Sequence, residues 1–340
     1  MGVSSVPPTL ADVADRAGVS RQTVSNAVNS PELLRPDTLA RVRAAIDELG
    51  YLPNRAARSL RTRSSRLIGL RTAPALEGTA EATHDRFVHS LVEASRTAGY
   101  HVLLFGGEDR SDPLSGYDDL LRSTAVDAFV VTDTYLGNPQ AGWLDERGAP
   151  FVAFGRPWED PGARHAWVDV DGAAGTALAT RHLLERGHQR VAWIGWRKDS
   201  RIGEDRRSGW SRTVREWGLS TTGMASRVED TVASGREAAA VLLDEARPSA
   251  FVCASDTLAM GVLQTLGERG LAAGRDVAVV GFDDSQAAPL VSPGLTSVRQ
   301  PLEQVAVEVV RALETTLTHQ PRPEPGLLLT PTLSVRGSSG

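Results

Sequence analysis

After residue 66 the chain is built on seven short apolar runs: "RLIGL", "YHVLLFG", "DAFVVT", "PFVAFG", "RVAWIG", "SAFVCAS" and "DVAVVGF". They are rich in β-branched and aromatic residues, and helical periodicity returns between them, over 87–98, 176–186, 236–246 and 257–269. Unbroken apolar runs suit strands covered on both faces, and alternation with helices implies parallel sheets. Each run ends in Gly or a polar residue, at strand C-termini where open α/β sheets bind ligands. Roughly 270 residues exceed one such sheet, so two lobes with a cleft between them are expected. Residues 72–84, "TAPALEGTAEATH", lack periodicity and are expected to form a mobile loop.

The first 50 residues read differently. Thr9 and Asp12 fit a capping box, and Leu10, Val13, Ala14 and Ala17 fall on one helical face. Gly18 ends that helix. Ser20 can cap the next, whose Val24, Ala27 and Val28 face inward. Pro36 starts a third helix with an apolar stripe of Leu39, Val42, Ile46 and Leu49, stopped by Gly50. Two short helices joined by a tight turn make a helix-turn-helix, whose second helix enters the major groove. Arg21, Gln22, Ser25, Asn26 and Asn29 form its outward stripe, of residue types that hydrogen-bond base edges and phosphates. The plain alternative is a solvated polar face.

"YLPNRAARSLRTRSSRLIGL" follows. Asn54 can cap a short helix flanked by Arg58, Arg61, Arg63 and Arg66, too short to hold alone in water. Leu60 among these arginines suits a wedge between base steps of the minor groove; the bland reading is a basic linker. Residues 1–66 hold ten arginines against six carboxylates, a net +4, which leaves −9 for the rest of a chain totalling −5. A basic head on an acidic body suggests that only the head meets a polyanion. Lys198 is the one lysine among 37 basic residues, so arginine enrichment alone says nothing about DNA.

These segments, with "FVCASDTLAMGVLQTL" and "DVAVVGFDDS…PGLTSVRQP", resemble the lactose-repressor (LacI/GalR-type) family of bacterial transcription regulators over nearly the whole chain. The resemblance implies an α/β fold class: an all-α helix-turn-helix domain (1–52), a hinge helix and linker (53–65), and a two-lobed core shaped like periplasmic binding proteins (66–340). Its N-lobe is placed at about 66–166 and 297–320, its C-lobe at about 167–296 and 321–340. The resemblance also implies a homodimer on double-stranded operator DNA and a small effector that resets DNA affinity. By position, Arg21, Gln22 and Asn26 match base-reading residues and Thr23 and Ser25 match phosphate or secondary contacts. Leu60 matches the intercalating leucine, flanked by Ala57 and Arg61. Arg35 departs from the Ser or Thr cap frequent before the third helix.

In the cleft, Arg206 and Asp283 match the family's pivotal effector-binding arginine and aspartate. Ser255 stands where many relatives have Asn, and Asp230 where an aromatic is common, a departure that argues for a hydroxyl-rich ligand. "FGRPW" offers Arg156 and Trp158, and "WIGWRKD" offers Trp196, as hydrogen-bonding and stacking groups; both tryptophans also suit a core. Trp193 and Trp210 read as core, and Asp169 and Asp171 as residues that cap and orient the inter-lobe crossover rather than a metal pair. Asp256 is expected to cap the helix after it, and His182 and His188 to be structural. The 257–269 helix, with Leu258, Gly261, Val262 and Leu266, has apolar positions beyond one core stripe and is expected, with "SQAAPLVSP", to form the dimer face. No heptad repeat closes the sequence, so a dimer is expected rather than a tetramer.

The composition, 41% hydrophobic and 23% charged, is globular. The single Cys253 rules out an internal disulfide. "MGVSSVPPTL" has no export signal and no run reaches membrane length, so a cytoplasmic protein that meets no membrane is expected. There is no G-x-S-x-G, metal-spaced Cys/His cluster or P-loop, so no catalysis, metal or cofactor is expected. The reading is a sequence-specific repressor controlled by a sugar bound between the lobes. The same architecture responding to a nucleobase, a phosphorylated metabolite or a partner protein is the alternative.

Overall fold

The computed structural model describes residues 8–51, 64–72, 79–106, 112–132, 137–158, 160, 162–320 and 326–340, with side chains in the segment beginning at 79 from Thr83 onward. The chain divides into two units, Met1–Ser65 and Arg66–Gly340.

The small unit contains α1 (Leu10–Ala17), α2 (Arg21–Asn29) and α3 (Pro36–Leu49). The capping box forms: the Thr9 amide donates to Asp12 at 2.7 Å, and Thr9 Oγ1 accepts from the Asp12 amide. Gly18 takes the left-handed conformation at φ 64°, which a side chain would resist. Ser20 Oγ then accepts from the Thr23 amide at 3.1 Å and starts α2. Arg35 precedes α3 with no side-chain cap bond; Pro36 at the first helical position suffices, since its fixed φ is already helical. Val13, Ala14, Ala17, Val24, Ala27, Val42, Ala45 and Tyr51 form the core.

The large unit has two six-stranded sheets. The first holds β1 (Leu67–Arg71), β2 (His101–Phe105), β3 (Ala128–Val131), β4 (Phe151–Phe154), β5 (Ala166–Val170) and β11 (Gly326–Leu329), in spatial order β11-β5-β4-β3-β1-β2. The second holds β6 (Val191–Trp196), β7 (Ala225–Val228), β8 (Ala250–Cys253), β9 (Ala278–Phe282), β10 (Thr296–Arg299) and β12 (Thr332–Ser334), in order β12-β10-β9-β8-β6-β7. All pairings are parallel except β10 with β12. Helices α4 (Thr79–Thr97), α5 (Tyr117–Arg122), α6 (Gln140–Glu146) and α11 (Leu302–Leu317) serve the first sheet. Helices α7 (Gly172–Glu185), α8 (Arg201–Glu216), α9 (Val232–Glu245) and α10 (Asp256–Glu268) serve the second.

The two-residue period of β3 shows how both faces are filled. Ala128 and Val130 join α4 and α11 residues such as Leu91 and Val309, while Phe129 and Val131 meet Tyr117 and Leu144 on the opposite side. Trp193 and Trp210 stack in the second lobe's core with centroids 6.1 Å apart, both essentially inaccessible, as the sequence suggests.

The expected lobe limits need three corrections. β5 belongs whole to the first sheet, so the first crossover follows Val170 rather than residue 166. β10 pairs with β9 in the second sheet, so the second crossover is at Gln300–Pro301. β11 pairs with β5, so 326–329 return to the N-lobe before the third crossover. Strand pairing is long-range, and composition did not reveal it. The segment expected as a loop over 72–84 is helical from Thr79.

The proposed dimer helix also reads differently in three dimensions. Leu258, Val262 and Leu266 of α10 are at most 1% exposed and pack inside the lobe. A Cβ on Gly261 would stand 2.3 Å from the Val232 carbonyl oxygen and 2.5 Å from the Arg236 nitrogen, so α9 and α10 touch backbone to backbone. These four positions are spent inside the lobe, with Gly261 against α9. Gly261→Ala is therefore expected to lower the urea midpoint, at a cost of about 1–3 kcal/mol. Gly267→Ala on the same helix, where a Cβ meets nothing within 4 Å, is expected to cost nothing. Equal midpoints for both variants would show that the helices can part freely.

Candidate functional site

On α2, Arg21 and Gln22 are exposed, while Thr23, Ser25, Asn26 and Asn29 are half-buried. Gln22 Nε2 donates to Asn26 Oδ1 at 3.0 Å, which aligns two amides one helical turn apart. Asn29 Nδ2 donates to the Ser25 carbonyl at 2.7 Å, so this amide secures the end of α2 rather than standing free. Thr23 Oγ1 lies 2.9 Å from Ser20 Oγ at the helix start. Ala57, Arg58, Leu60 and Arg61 lie outside the described residues.

The second candidate site lies between the lobes, at the C-terminal ends of the strands. Its core is positioned by α8. Ser200 caps this helix by accepting from the Gly203 amide at 3.1 Å. A Cβ on Gly209 would fall 1.9 Å from the Ala173 carbonyl oxygen, so only glycine lets α7 and α8 approach this closely. Thr176 Oγ1 then donates to the Arg206 carbonyl at 2.5 Å and fixes that turn. Arg206 is thereby held 6% exposed, its guanidinium 3.7 Å over the Phe282 ring and 4.8 Å from the Trp196 ring centre. Its Nη1 donates to the Ala254 carbonyl at 2.5 Å and lies 3.5 Å from Asp283 Oδ1.

Asp283 stands just past β9, at φ 109°, a backbone conformation costly for any residue with a side chain. Its carboxylate accepts from Gln300 Nε2 at 2.7 Å. Burial pushes its pKa up to about 7, against the opposing pull of the Arg206 guanidinium, with Asp256 adding to the rise. Asp256 itself is pushed up to about 6 by burial, although the Ser297 hydroxyl and the Ser285 amide donate to it.

From the N-lobe, Arg156 follows β4. Its Nε donates to Asp169 at 2.6 Å, its Nη2 donates to the Val170 carbonyl at 3.2 Å, and the same Nη2 reaches Asp205 of α8 at 3.5 Å. Its guanidinium lies 4.3 Å from the Trp158 ring centre. Burial raises the Asp205 carboxyl, with Arg156 pulling the other way. The cavity these groups enclose measures about 280 Å³, walled by Phe154, Arg156, Trp158, Asp169, Asp205, Arg206, Phe282 and Gln300, with Thr83 and His84 of α4 at one side. Around the cleft, the buried donors Trp158 Nε1, Trp196 Nε1 and Arg206 Nε have no partner among the described residues. Orphaned donors of this kind are costly unless a ligand or water accepts from them.

Arg156, Trp158 and Arg206 thus line the cavity, while Asp283 and Trp196 stand behind it, Asp283 against Arg206 and Gln300 and Trp196 against Arg206. Asp230 and Ser255 do not reach the wall. Ser255 is fully buried, donates its hydroxyl to the Asp230 carboxylate and caps α10 by accepting from the Leu258 amide at 3.2 Å. Ser255 is therefore the cap expected of Asp256, which ties the helix to the 285 and 297 segments instead. Asp171 does cap α7, accepting from the Ala174 amide at 2.8 Å, whereas Asp169 faces the cleft. The sequence reading missed Asp205, Gln300, Phe154 and Phe282. Gln300 carried a signal, a polar residue just past a strand's C-terminus, whereas Asp283 came from the family resemblance; nothing local distinguishes Asp205 from the acidic Glu204 beside it.

His182 bonds Ser339 Oγ at 2.8 Å and His188 lies 3.1 Å from Ser249 Oγ, both structural contacts. Cys253 is buried, and burial pushes its thiol well up, which leaves it no nucleophilic role. Among the described residues no helix is long and apolar enough to cross a membrane.

Comparison with known proteins agrees with this architecture. Residues 9–54 match the family model "Bacterial regulatory proteins, lacI family", and residues 180–339 match "Periplasmic binding protein-like domain". The chain is 35% identical to the HTH-type transcriptional regulator CelR of Thermobifida fusca, over 97% of this chain and 98% of that protein. Among solved structures it is similar to a CelR–cellobiose complex, at TM-score 0.73 and 32% identity over 97% of this chain and 99% of that one. It is also similar to a lac repressor dimer bound to operator and the anti-inducer ONPF, at TM-score 0.80 and 27% identity over 98% and 99%. With its helix-turn-helix unit and two-lobed parallel α/β core, the chain belongs to the lacI family of bacterial regulatory proteins and is a DNA-binding transcriptional regulator.

Proposed function

We propose that the chain is a repressor whose operator affinity is set by an uncharged sugar held between the lobes. The observation that carries this reading is the cleft itself: the orphaned N–H donors of Trp158 and Arg206 beside the Trp158 ring, in a wall that also carries Phe154 and Gln300. A ligand with many acceptor oxygens and one apolar ring face satisfies such a set. The 280 Å³ cavity suits a small sugar, and the solved relative holding cellobiose supports that class.

Arg21 and Gln22 read bases, with Asn26 aligned by Gln22, and arginines supply salt-dependent contacts to phosphate. Thr23 and Ser25 would contact the backbone, while Ala57, Arg58, Leu60 and Arg61 keep their sequence-based role in the minor groove. Closure of the lobes around the ligand shifts DNA affinity, and by linkage DNA shifts ligand affinity equally. A homodimer is the working state. Its surface draws on exposed apolar residues of the sensor core, among them Leu290 at 83% exposure and Val307 at 47%. The protein works in the cytoplasm, with no catalytic step.

A duplex selected from random sequence by the purified protein provides the test. Neutral mono- and disaccharides are expected to change affinity for it by about fivefold or more. If sugars are silent and a purine or a partner protein moves the affinity, the sugar reading falls. Gln22→Ala is expected to cost about 1–3 kcal/mol on the selected site and little on unrelated duplex.

The buried carboxyl gives a pH signature. Folded Asp283 keeps its proton up to about pH 7, whereas the unfolded chain releases it near the ordinary value of 3.8. Its stabilising contribution is therefore complete below pH 3.8, is lost as pH rises through about 7, and then levels. Asp256, at about 6, acts in the same direction. Urea midpoints measured across this range are expected to fall less steeply in Asp283→Asn than in the wild type; identical slopes would place the titration elsewhere.

A further inference from the structure

The cleft holds two guanidinium groups, and both are already engaged, with the buried Arg206 Nε–H left without a partner among the described residues. Arg156 is engaged by Asp169 at 2.6 Å and by Asp205 at 3.5 Å, and the three side chains are 19%, 13% and 16% exposed. Arg206 is engaged by the Ala254 carbonyl and by Asp283. Asp169 and Asp205 thus face the Arg156 cation in a desolvated space, where like-charge repulsion is screened little. The donors left without partners are chiefly neutral indole N–H groups.

Asp205 is distinctive among these carboxylates. Asp169 lies on β5 and Arg156 just past the neighbouring strand β4, so the two pair within one lobe. Asp205 stands on α8 of the other lobe, anchored by accepting from the Ala173 amide at 3.0 Å. It adds the second carboxylate to Arg156 only where the lobes meet around the cavity.

We propose that Asp205 is a specificity-determining residue, which reserves the cleft for uncharged, hydroxyl-rich ligands and turns away anionic ones such as sugar phosphates. This deepens the sugar reading and rests on it for the ligand class, but the charge filter itself is measurable without a sugar. A phosphate entering beside Arg156 must displace Asp205 or lie against it. Replacing Asp205 by an amide frees that charge for the phosphate.

Calorimetric titration of the full-length protein with inorganic phosphate, glucose 6-phosphate and glucose decides the matter. Asp205→Asn is expected to bind inorganic phosphate about tenfold more tightly than the wild type or better, while Asp205→Glu stays at the wild-type level. Equal phosphate affinity in the wild type and in Asp205→Asn overturns the proposal. Should Asp205→Asn fail to fold, Asp205→Ser replaces it, and the wild type still decides: tighter binding of glucose 6-phosphate than of glucose overturns the filter. Silence of every neutral sugar, with the phosphate pattern as expected, removes the sugar reading and leaves the filter standing.

Discussion

The sensor core depends on keeping one guanidinium, Arg206, out of water. An isolated buried charge is prohibitively costly, so the surroundings must return what desolvation takes. Here the Ala254 carbonyl, the Asp283 carboxylate and the faces of Phe282 and Trp196 do so together. They come from the ends of three strands, β6, β8 and β9, so the geometry exists only when the second sheet is assembled. The contact of α7 with α8 at Gly209 is part of the same device, since it sets how deep Arg206 sits. A strained Asp283 and three orphaned donors are what such a site accumulates in exchange for being ready to bind.

The cleft also joins two bodies. Arg156 and Asp205 approach from opposite lobes, and Arg86 of α4 donates to the Asp283 and Asp284 carbonyls at 3.3 Å each. A ligand that rearranges Arg206 or Arg156 therefore acts on contacts between the lobes. The small unit solves a different problem. Its core is built from small residues such as Ala14, Ala17, Ala27 and Ala45, so its helices rely on caps, at Thr9 and Ser20, to fix where they begin. The position of Gln22 and Asn26 on α2 follows from Ser20.

Local signals made much of this legible. Caps, a left-handed glycine and apolar periodicity placed α1 to α3, because those forces act within a few residues. Apolar runs placed the central strands, and the family resemblance pointed to Asp283. The alternating "AWVDV" and the very short "GLLL" segments were not read as strands, and with them the lobe limits were misplaced. Ser255 and Asp230 were assigned to the cleft by position, yet Ser255 is too short to reach past the helix it caps, and Asp230 turns to meet its hydroxyl.

The sequence by itself determined the elements, the helix-turn-helix face and the kind of residue at each strand end, since propensity, capping and hydrophobic period are properties of neighbours in the chain. Only the tertiary structure decided that Leu258, Val262 and Leu266 of α10 pack inside their own lobe, that β5 and β11 complete the first sheet, and that Asp205 meets Arg156. Those outcomes depend on groups up to about 160 residues apart being brought to within a few ångströms, and no local pattern encodes which distant partner a buried surface or charge will find.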